Sequence, residues 1–305
     1  MSVAELEAHE VAFESASGSL WREAGRQLRR SPAAIVGGFF VLAFIVIAAF
    51  ASKIAPFDPL KTDLFAIGKH GGCCPGPSSA HWLGVDDVGR DEFSRILYGA
   101  RYSLLIGVVS VSVGLSIGLA LGSIAGYLGG VVDNVIMRAM DVMLAIPGLL
   151  LAIGIVAVLG PGLYQVMIAV GVANVPIFAR LLRGSILAQR ENDFVLAARS
   201  VGVRGRSILV SHILPNALSP VIVQGTLALA TAIIDVAGLS FLGLGDQDPS
   251  RPEWGAMLTG ADRYLQQAPF LAIAPGIAIV ISALGFNMIG DALREALDPK
   301  LRGRV

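Results

Sequence analysis

Long apolar runs without a charged side chain recur along the whole chain. Asp, Glu, Lys and Arg are missing from residues 33–52, 102–132, 142–178, 214–234 and 269–290. An apolar helix of roughly 20 residues crosses the ~30 Å hydrocarbon layer of a bilayer. The run 142–178 is too long for one crossing, and Gly160-Pro161-Gly162 predicts a turn inside it. The pattern therefore predicts six membrane-spanning helices, at about residues 33–54, 102–125, 138–159, 163–185, 214–242 and 268–290.

Composition supports an all-α, polytopic membrane protein. Of the 305 residues, 54% are hydrophobic and only 15% are charged, whereas soluble domains carry about 25% charged residues. A soluble enzyme with a buried helical core would need polar helix faces to meet water, and these runs provide none. The net charge is zero, so no electrostatic attraction to nucleic acid is indicated.

The placement of basic residues predicts the topology. Arg and Lys cluster before the first span, between spans four and five, and after span six. The positive-inside rule puts these parts in the cytoplasm. The predicted organisation is a cytoplasmic tail (1–31), a first transmembrane helix (32–54), an extracytoplasmic segment (55–101), a transmembrane core (102–290) with a cytoplasmic loop (186–213), and a cytoplasmic tail (291–305). Residues 1–31 lack the apolar core of a signal peptide, so the first span is expected to be a retained anchor and residues 1–20 a disordered tail.

The cytoplasmic loop has a pattern of its own. Asp193 to Ser200 predicts a short helix that Asp193 caps and Gly202 stops. Ile208 to Ile213 resumes an amphipathic pattern, and Pro215 falls in the first turn of span five, where proline is tolerated. Two short helices joined at a glycine would lie across the cytoplasmic face and present a surface to a partner.

Several motifs in this order resemble the C-type permeases of dipeptide, oligopeptide and nickel ABC importers. Residues 197–202 (Ala-Ala-Arg-Ser-Val-Gly) and 212–216 (His-Ile-Leu-Pro-Asn) are similar to the cytoplasmic EAA loop of these subunits. Further similarities cover about residues 30–300, at 81–84, 89–91, 98–101, 240–245, 254–255, 291–294 and 297–299.

The resemblance implies the type I ABC-importer permease fold and a bacterial cytoplasmic membrane. It implies that the chain forms half of a path for di- or oligopeptides beside a homologous B-type permease. Two cytoplasmic ATPases would bind ATP, and an extracytoplasmic binding protein would deliver substrate. The EAA loop would dock on an ATPase through Leu196, Ala197, Ala198, Gly202, Leu214 and Pro215. Leu196 stands where the family has Glu, which puts charge recognition of the ATPase in question. Nickel importers share these landmarks, so a nickel or other small-solute importer is the alternative.

Three polar residues inside the spans have two interpretations each. Asp235, at an acidic position of the family, together with Asn174 and Asn287, could line the translocation path. Asp235 could instead reach interfacial water, and the two asparagines could bond neighbouring helices. Arg138 and Asp141 are one turn apart and are expected to pair within span three. Prolines are expected to kink spans three, four and six: Pro147, Pro176 and Pro275.

A metal site, enzymatic activity and cofactor binding are expected to be absent from this chain. Cys73 and Cys74 leave three interpretations open: a vicinal disulfide, a bond to another chain, or two free thiols. His70 and His81 alone do not provide a recognisable metal site beside them. No Gly-x-x-x-x-Gly-Lys-Ser/Thr loop occurs, so the chain is expected to be no enzyme and to hold no cofactor. A stand-alone secondary transporter is the alternative of a different class, and it would need more intramembrane ionisable residues than Asp235.

Overall fold

The computed structural model describes residues 25–63, 73–246 and 248–297. The helices in chain order are α1 (Pro32–Ile54), α2 (Glu92–Leu128), α3 (Gly130–Leu144), α4 (Gly148–Leu159), α5 (Leu163–Arg190), α6 (Asp193–Ser200), α7 (Gly205–Ile208), α8 (Leu214–Ala217), α9 (Ser219–Phe241), α10 (Trp254–Leu258) and α11 (Phe270–Leu297). A π-helical turn covers Leu209–Ile213 and a 3-10 turn covers Ala261–Tyr264. Within the described ranges the only β pairing is two isolated bridges, Thr62 with Arg90 and Val85 with Asp91.

The predicted all-helical membrane architecture is confirmed. Within the described residues, five helices are long and apolar enough to cross a membrane: α1, α2, α5, α9 and α11. The predicted spans at 33–54, 102–125, 163–185 and 268–290 each correspond to a single helix. Pro176 and Pro275 lie inside α5 and α11. The predicted tail at 1–20, residues 64–72 and the chain beyond Leu297 lie outside the described residues.

The prediction of span three as one helix over 138–159 is wrong. The chain forms α3 and α4 instead, and their axes differ by 93°. Pro147 precedes α4 with φ −50° and ψ 131°. Proline has no N–H to continue the hydrogen-bond ladder of α3, and it disfavours helical geometry at Ile146. The predicted kink is therefore a complete break.

The prediction of span five as one helix over 214–242 also needs correction. The π turn Leu209–Ile213 and α8 lead into α9, which begins only at Ser219. Pro215 cannot donate to the carbonyl of Ser211, and its ring crowds that carbonyl. A wide π turn immediately before Pro215 relieves this crowding. Pro220 then occupies the first turn of α9, as proline prefers.

Glycines bring α2 and α5 into backbone contact. Four of them, spaced four residues apart, line the face of α2 towards α5: Gly114, Gly118, Gly122 and Gly126. A Cβ atom added at Gly122 would lie 2.6 Å from the carbonyl oxygen of Ala179, and one added at Gly114 would lie 2.6 Å from that of Gly171. Small residues at this spacing allow membrane helices to approach closely. The Gly/Ser-rich character of α2 thus has a packing role.

The ends of the helices lie at two opposite ends of the bundle. Arg190 Nη1 donates to the carbonyl of Gly126 at 2.9 Å, so α2 and α5 finish together beside α6. Gly37, near the start of α1, packs against Met288 of α11. The end of α11 also shares a cavity with Pro220 of α9. The start of α1, the end of α11 and residues 191–218, which we name the α6 segment, therefore lie at one end.

The opposite end is formed by residues 57–63, 73–101 and 251–264, which we name the collar. Trp254 is fully buried there, and its ring meets Phe44 of α1 at a centroid distance of 5.4 Å. Its Nε1 donates to the carbonyl of Ile96 at 3.0 Å, and its backbone N–H donates to Ser103 Oγ at 3.1 Å. These contacts fasten α10 to the start of α2.

The bent pair α3–α4 connects the two ends. Gly130 follows α2 at the α6 end, while Gly162, just after α4, donates its N–H to the carbonyl of Leu244 at 3.1 Å. Leu244 follows α9, and Ser240 of α9 accepts a hydrogen bond from Thr259 of the collar. The pair therefore carries the chain across the bundle, as the predicted third span would.

Candidate functional site

The short helix predicted at Asp193–Ser200 is present with those bounds as α6. Its predicted cap is wrong, because Asn192 occupies the cap position and Asp193 is the first helical residue. The Asn192 amide donates to Gln189 Oε1 at 2.7 Å rather than capping the helix. A carboxylate in the first turn still stabilises the helix through its dipole.

Gly202 ends α6 in a Schellman motif. Its φ is +79°, a left-handed value that glycine adopts without steric cost. The N–H of Gly202 donates to the carbonyl of Arg199 at 3.0 Å, and the N–H of Val203 donates to that of Ala198 at 3.1 Å. No described atom outside the local backbone would lie within 4 Å of a Cβ added here. The requirement for glycine within this chain is therefore conformational rather than one of space.

The two faces of α6 differ. Val195 and Ala198 are buried in the main core of the bundle. On the other face Leu196 is 52% exposed, and Val201 is 78% exposed immediately after the helix. Ala197 is also exposed. The buried side chains of Val195 and Ala198 thus hold α6 in place, while the apolar surface of Leu196, Ala197 and Val201 stays exposed.

The rest of the α6 segment also combines residues packed against the core with exposed ones. Leu214 is half-buried and packs against the core, whereas Pro215 is exposed. Gly205 lies against Tyr127 at the end of α2, where an added Cβ would be 2.6 Å from the tyrosine hydroxyl. Movement of the α6 segment would therefore displace α2 directly, as well as α5.

The three candidate path residues lie on three helices. Asn174 is buried on α5, and its side chain donates to the carbonyl of Val170 at 2.9 Å. Its Cβ faces Gly114 of α2, as expected of a residue in helix packing. Asp235 on α9 and Asn287 on α11 are half-buried.

Ion pairs join α3 to α5. Arg183 Nε donates to Asp133 at 3.0 Å, and Arg180 pairs with Asp141. The expected pairing of Asp141 with Arg138 inside one helix missed this link between helices. Eight residues of α3 separate the two acids but only three residues of α5 separate the two arginines, so α3 crosses α5 obliquely.

A polar network organises the collar around the start of α2. Asp91 caps α2 by accepting from the N–H of Ser94 at 2.8 Å, and it also binds His81 Nδ1 at 2.8 Å. Asp86 accepts from Arg90 Nε at 2.6 Å and lies 3.6 Å from Arg95 Nε. Sequence motifs pointed to this region but did not reveal that most of these charges are buried.

Cys73 and Cys74 lie beside this network. Their sulfur atoms are joined in the structure, and Cys74 has a φ of +65°. Both pack in a small apolar cluster with Ala261, Ala268 and Leu271. Within the described residues, no group of three or more His, Cys, Asp or Glu side chains is placed to hold a metal ion.

Family comparisons decide what this bundle is. Residues 118–303 match the family described as "Binding-protein-dependent transport system inner membrane component". The chain belongs to this family. Residues 19–68 match the "N-terminal TM domain of oligopeptide transport permease C". The chain is therefore a permease subunit of an ABC importer, and the resemblance inferred from its motifs is confirmed.

Curated relatives agree with this assignment, and a solved structure has a similar fold. The permease is 49% identical over 284 residues to the dipeptide transport system permease protein DppC of Alkalihalophilus pseudofirmus, with 93% of this chain and 91% of that protein covered. It is 50% identical over 284 residues, with the same coverage, to the glutathione transport system permease protein GsiD of Salmonella typhimurium. The fold resembles a chain of the MetNI methionine ABC transporter, with a TM-score of 0.54, 19% identity, and 66% of this chain and 96% of that chain covered.

Proposed function

We propose that this permease forms half of a path for short peptides through a bacterial cytoplasmic membrane. The observation that carries the proposal is the near 50% identity, over 93% of the chain, to relatives named for dipeptides and for glutathione. Glutathione is itself a short peptide, so both named substrates share backbone amides and free carboxylates. A homologous B-type permease would form the other half of the path.

The α6 segment is the proposed docking surface for a cytoplasmic ATPase. Leu196, Ala197 and the neighbouring Val201 offer an exposed apolar face, and burial of that face in a groove would be favourable. Ala198, Gly202 and Leu214 fix its position, and Pro215 sets the turn into α9. Because Leu196 replaces a glutamate of the family, docking here would rest on apolar contact. The two ATPases, rather than this subunit, would bind ATP.

The proposed topology uses the two ends of the bundle. The start of α1, the α6 segment and the end of α11 share one end, which supports cytoplasmic termini on the ATPase side. The collar would then face outward, where a binding protein delivers substrate. Asp235 and Asn287 are the proposed path residues. For Asn174, its bond to Val170 supports the packing interpretation.

Uptake by the reconstituted complex tests substrate and coupling together. Proteoliposomes would contain this permease, its B-type partner, both ATPases and the binding protein. We expect ATP-dependent uptake of labelled Ala-Ala or glutathione and none of Ni²⁺. Uptake of Ni²⁺ without peptide uptake would favour the nickel alternative, and uptake without ATPase subunits would favour a secondary transporter.

A matched pair of glycine variants tests the docking surface. Gly202→Asp should abolish uptake while the permease still inserts and melts as a folded protein, because aspartate strains the left-handed position. Gly184→Asp is the control, since Gly184 is an exposed helical glycine on α5 with open space around its Cβ position. Full uptake by Gly202→Asp at normal expression would show that the α6 segment is not the coupling element.

A further inference from the structure

A cavity of about 200 Å³ opens in the collar, between the first turn of α2 and the segment that runs from α10 to Leu271. One wall is charged and consists of Asp86, Asp87, Arg90, Glu92 and Arg95. The facing wall is largely apolar and includes Met257, Ala261 and Leu271, with Tyr264 beside them. Its volume would accommodate several waters, at about 30 Å³ each, or a small organic molecule.

The cavity lies outside the hydrocarbon layer. α2 has 37 residues, which makes it about 55 Å long, whereas the hydrocarbon core is only ~30 Å thick. Its charged residues, Glu92, Arg95 and Arg101, fall in the first turns and precede the uncharged stretch that begins at Tyr102. The first turn of α2 is therefore part of the collar rather than of the span.

Glu92 is a buried acid with one carboxyl oxygen, Oε1, left without a hydrogen bond among the described residues. Only 2% of the residue is exposed. Burial raises the pKa of Glu92 to about 8, although the nearby Arg95 opposes the shift. The group is then a neutral carboxylic acid at pH 7, and its O–H is available to donate into the cavity.

The two arginines are not fully neutralised. Arg90 and Arg95 share one carboxylate, that of Asp86. The contacts described use Nε of Arg90, and Nε and Nη1 of Arg95, the latter donating to the carbonyl of Pro59 at 3.4 Å. Each guanidinium carries further N–H donors. Burial is the main cause that lowers the pKa of Arg95, and repulsion from Arg90 adds to it.

We propose that this cavity binds the carboxylate of a small molecule, held by Arg90, Arg95 and Glu92, with an apolar group of the ligand against Met257 and Leu271. The site lies at the opposite end of the bundle from the α6 segment, and the proposal goes beyond the transport function because it does not depend on what the complex imports.

The charges favour a carboxylate over an ammonium group. With Glu92 protonated, the buried or half-buried charged groups that line the cavity are the guanidinium groups of Arg90 and Arg95 and the carboxylate of Asp86, while the buried Asp91 is paired with His81. Asp87 is exposed, so water screens its charge. Both guanidiniums and the O–H of the carboxylic acid can donate, and a carboxylate on the ligand can accept from all three together.

Direct binding to the full-length permease in nanodiscs tests the site. Isothermal titration calorimetry would use three probes: Ala-Ala, its C-terminal amide, and pentanoate. We expect saturable binding of Ala-Ala and at least about tenfold weaker binding of the amide. Binding of pentanoate as well would identify the ligand class as small carboxylates in general, and binding of Ala-Ala alone would identify peptide termini. Equal binding of acid and amide, or no saturable binding of any probe, would overturn the proposal.

Variants of Glu92 localise the effect. Glu92→Leu should weaken Ala-Ala binding by about tenfold or more, while Glu295→Gln, an exposed acid near the end of α11, should leave it unchanged. Glu92→Gln keeps a donor and should bind Ala-Ala at pH 7 much as the unchanged protein does. Unaltered binding by a folded Glu92→Leu variant would contradict the proposal.

A pH series keeps the test decisive if Glu92→Leu does not fold. Affinity for Ala-Ala should fall as the pH rises through about 8, because ionised Glu92 repels the ligand, whereas Glu92→Gln should lack this step. The charged or titratable groups around Glu92 are Asp86, Asp87, Arg90, Asp91, Arg95 and Tyr264. A flat profile for the unchanged protein would refute the site. Transport is not measured here, so failure of this test leaves the proposed import function standing.

Discussion

The collar and the α6 segment are both polar in sequence, yet they are built in different ways. In the collar, several charged side chains are buried and paired with each other, as Arg90 is with Asp86, and Trp254 fastens α10 to α2. In the α6 segment, two buried apolar residues and one left-handed glycine hold a helix whose other face stays open. The collar is thus organised for rigidity, and the α6 segment for contact with something else.

The largest expected effect comes from the core of the collar. Trp254→Ala should cost about 3–5 kcal/mol of stability through lost burial and the resulting cavity. Trp82→Ala is the matched control in the same region, because Trp82 is 61% exposed and contacts Phe93 at its rim. Thermal melting of the purified permease measures both. Equal melting of the two variants would show that the burial of Trp254 does not hold the collar together.

A pH dependence should follow from Glu92. Its pKa rises from 4.5 to about 8 on folding, so between these values the folded chain holds a proton that the unfolded chain lacks. The contribution of Glu92 to the free energy of unfolding should therefore be fully present below pH 4.5 and should be lost, by on the order of a few kcal/mol, as the pH rises to about 8.

Glu92→Gln should flatten this slope in melting curves taken from pH 5 to pH 9. The fully buried Glu253, whose pKa is also raised by burial, would account for a slope of the same sign that remains. A slope that is unchanged in Glu92→Gln would show that Glu92 does not hold the proton.

A smaller stability effect, with a larger functional one, is expected at Gly202. Gly202→Ala should destabilise by about 1–2 kcal/mol because alanine strains a left-handed position, and it should uncouple ATP hydrolysis from uptake. Gly184→Ala should instead be neutral or stabilising, since alanine favours a helix interior by up to about 1 kcal/mol. The ratio of peptide transported to ATP hydrolysed measures the difference. Normal coupling of ATP hydrolysis to uptake in Gly202→Ala would show that Gly202 has only a structural role.

The smallest effect on stability is expected at Leu196. Both Leu196→Glu and Leu196→Lys change an exposed side chain and should alter stability by less than about 0.5 kcal/mol. Glutamate is the residue that the resemblance to the EAA loop implies at this position, so we expect transport to be retained, whereas lysine should reduce it. Comparable uptake rates for the two variants would mean that this position does not contact the ATPase.

The contrast between the α6 segment and the collar also explains which features the sequence could predict. The bounds of α6 and the stop at Gly202 were predicted because they depend on neighbouring residues. The break at Pro147 was underestimated, since a proline signals lost hydrogen bonding but not how far the chain will turn. Glu92 gave no signal, because an acid in the first turn of a helix is ordinary when exposed. Its burial depends on α10 and Tyr264, which are distant in sequence.

The glycine stripe on α2 has a consequence for biosynthesis. Residues 129–162 separate α2 from α5 in the chain, so α2 enters the membrane while the helix that covers its glycines is still to be made. Until α5 arrives, that face meets lipid or the insertion machinery. The close contact between α2 and α5 must therefore form late, after α3 and α4 have been synthesised. A bulky residue at Gly118 or Gly122 would block this contact without hindering the insertion of either helix.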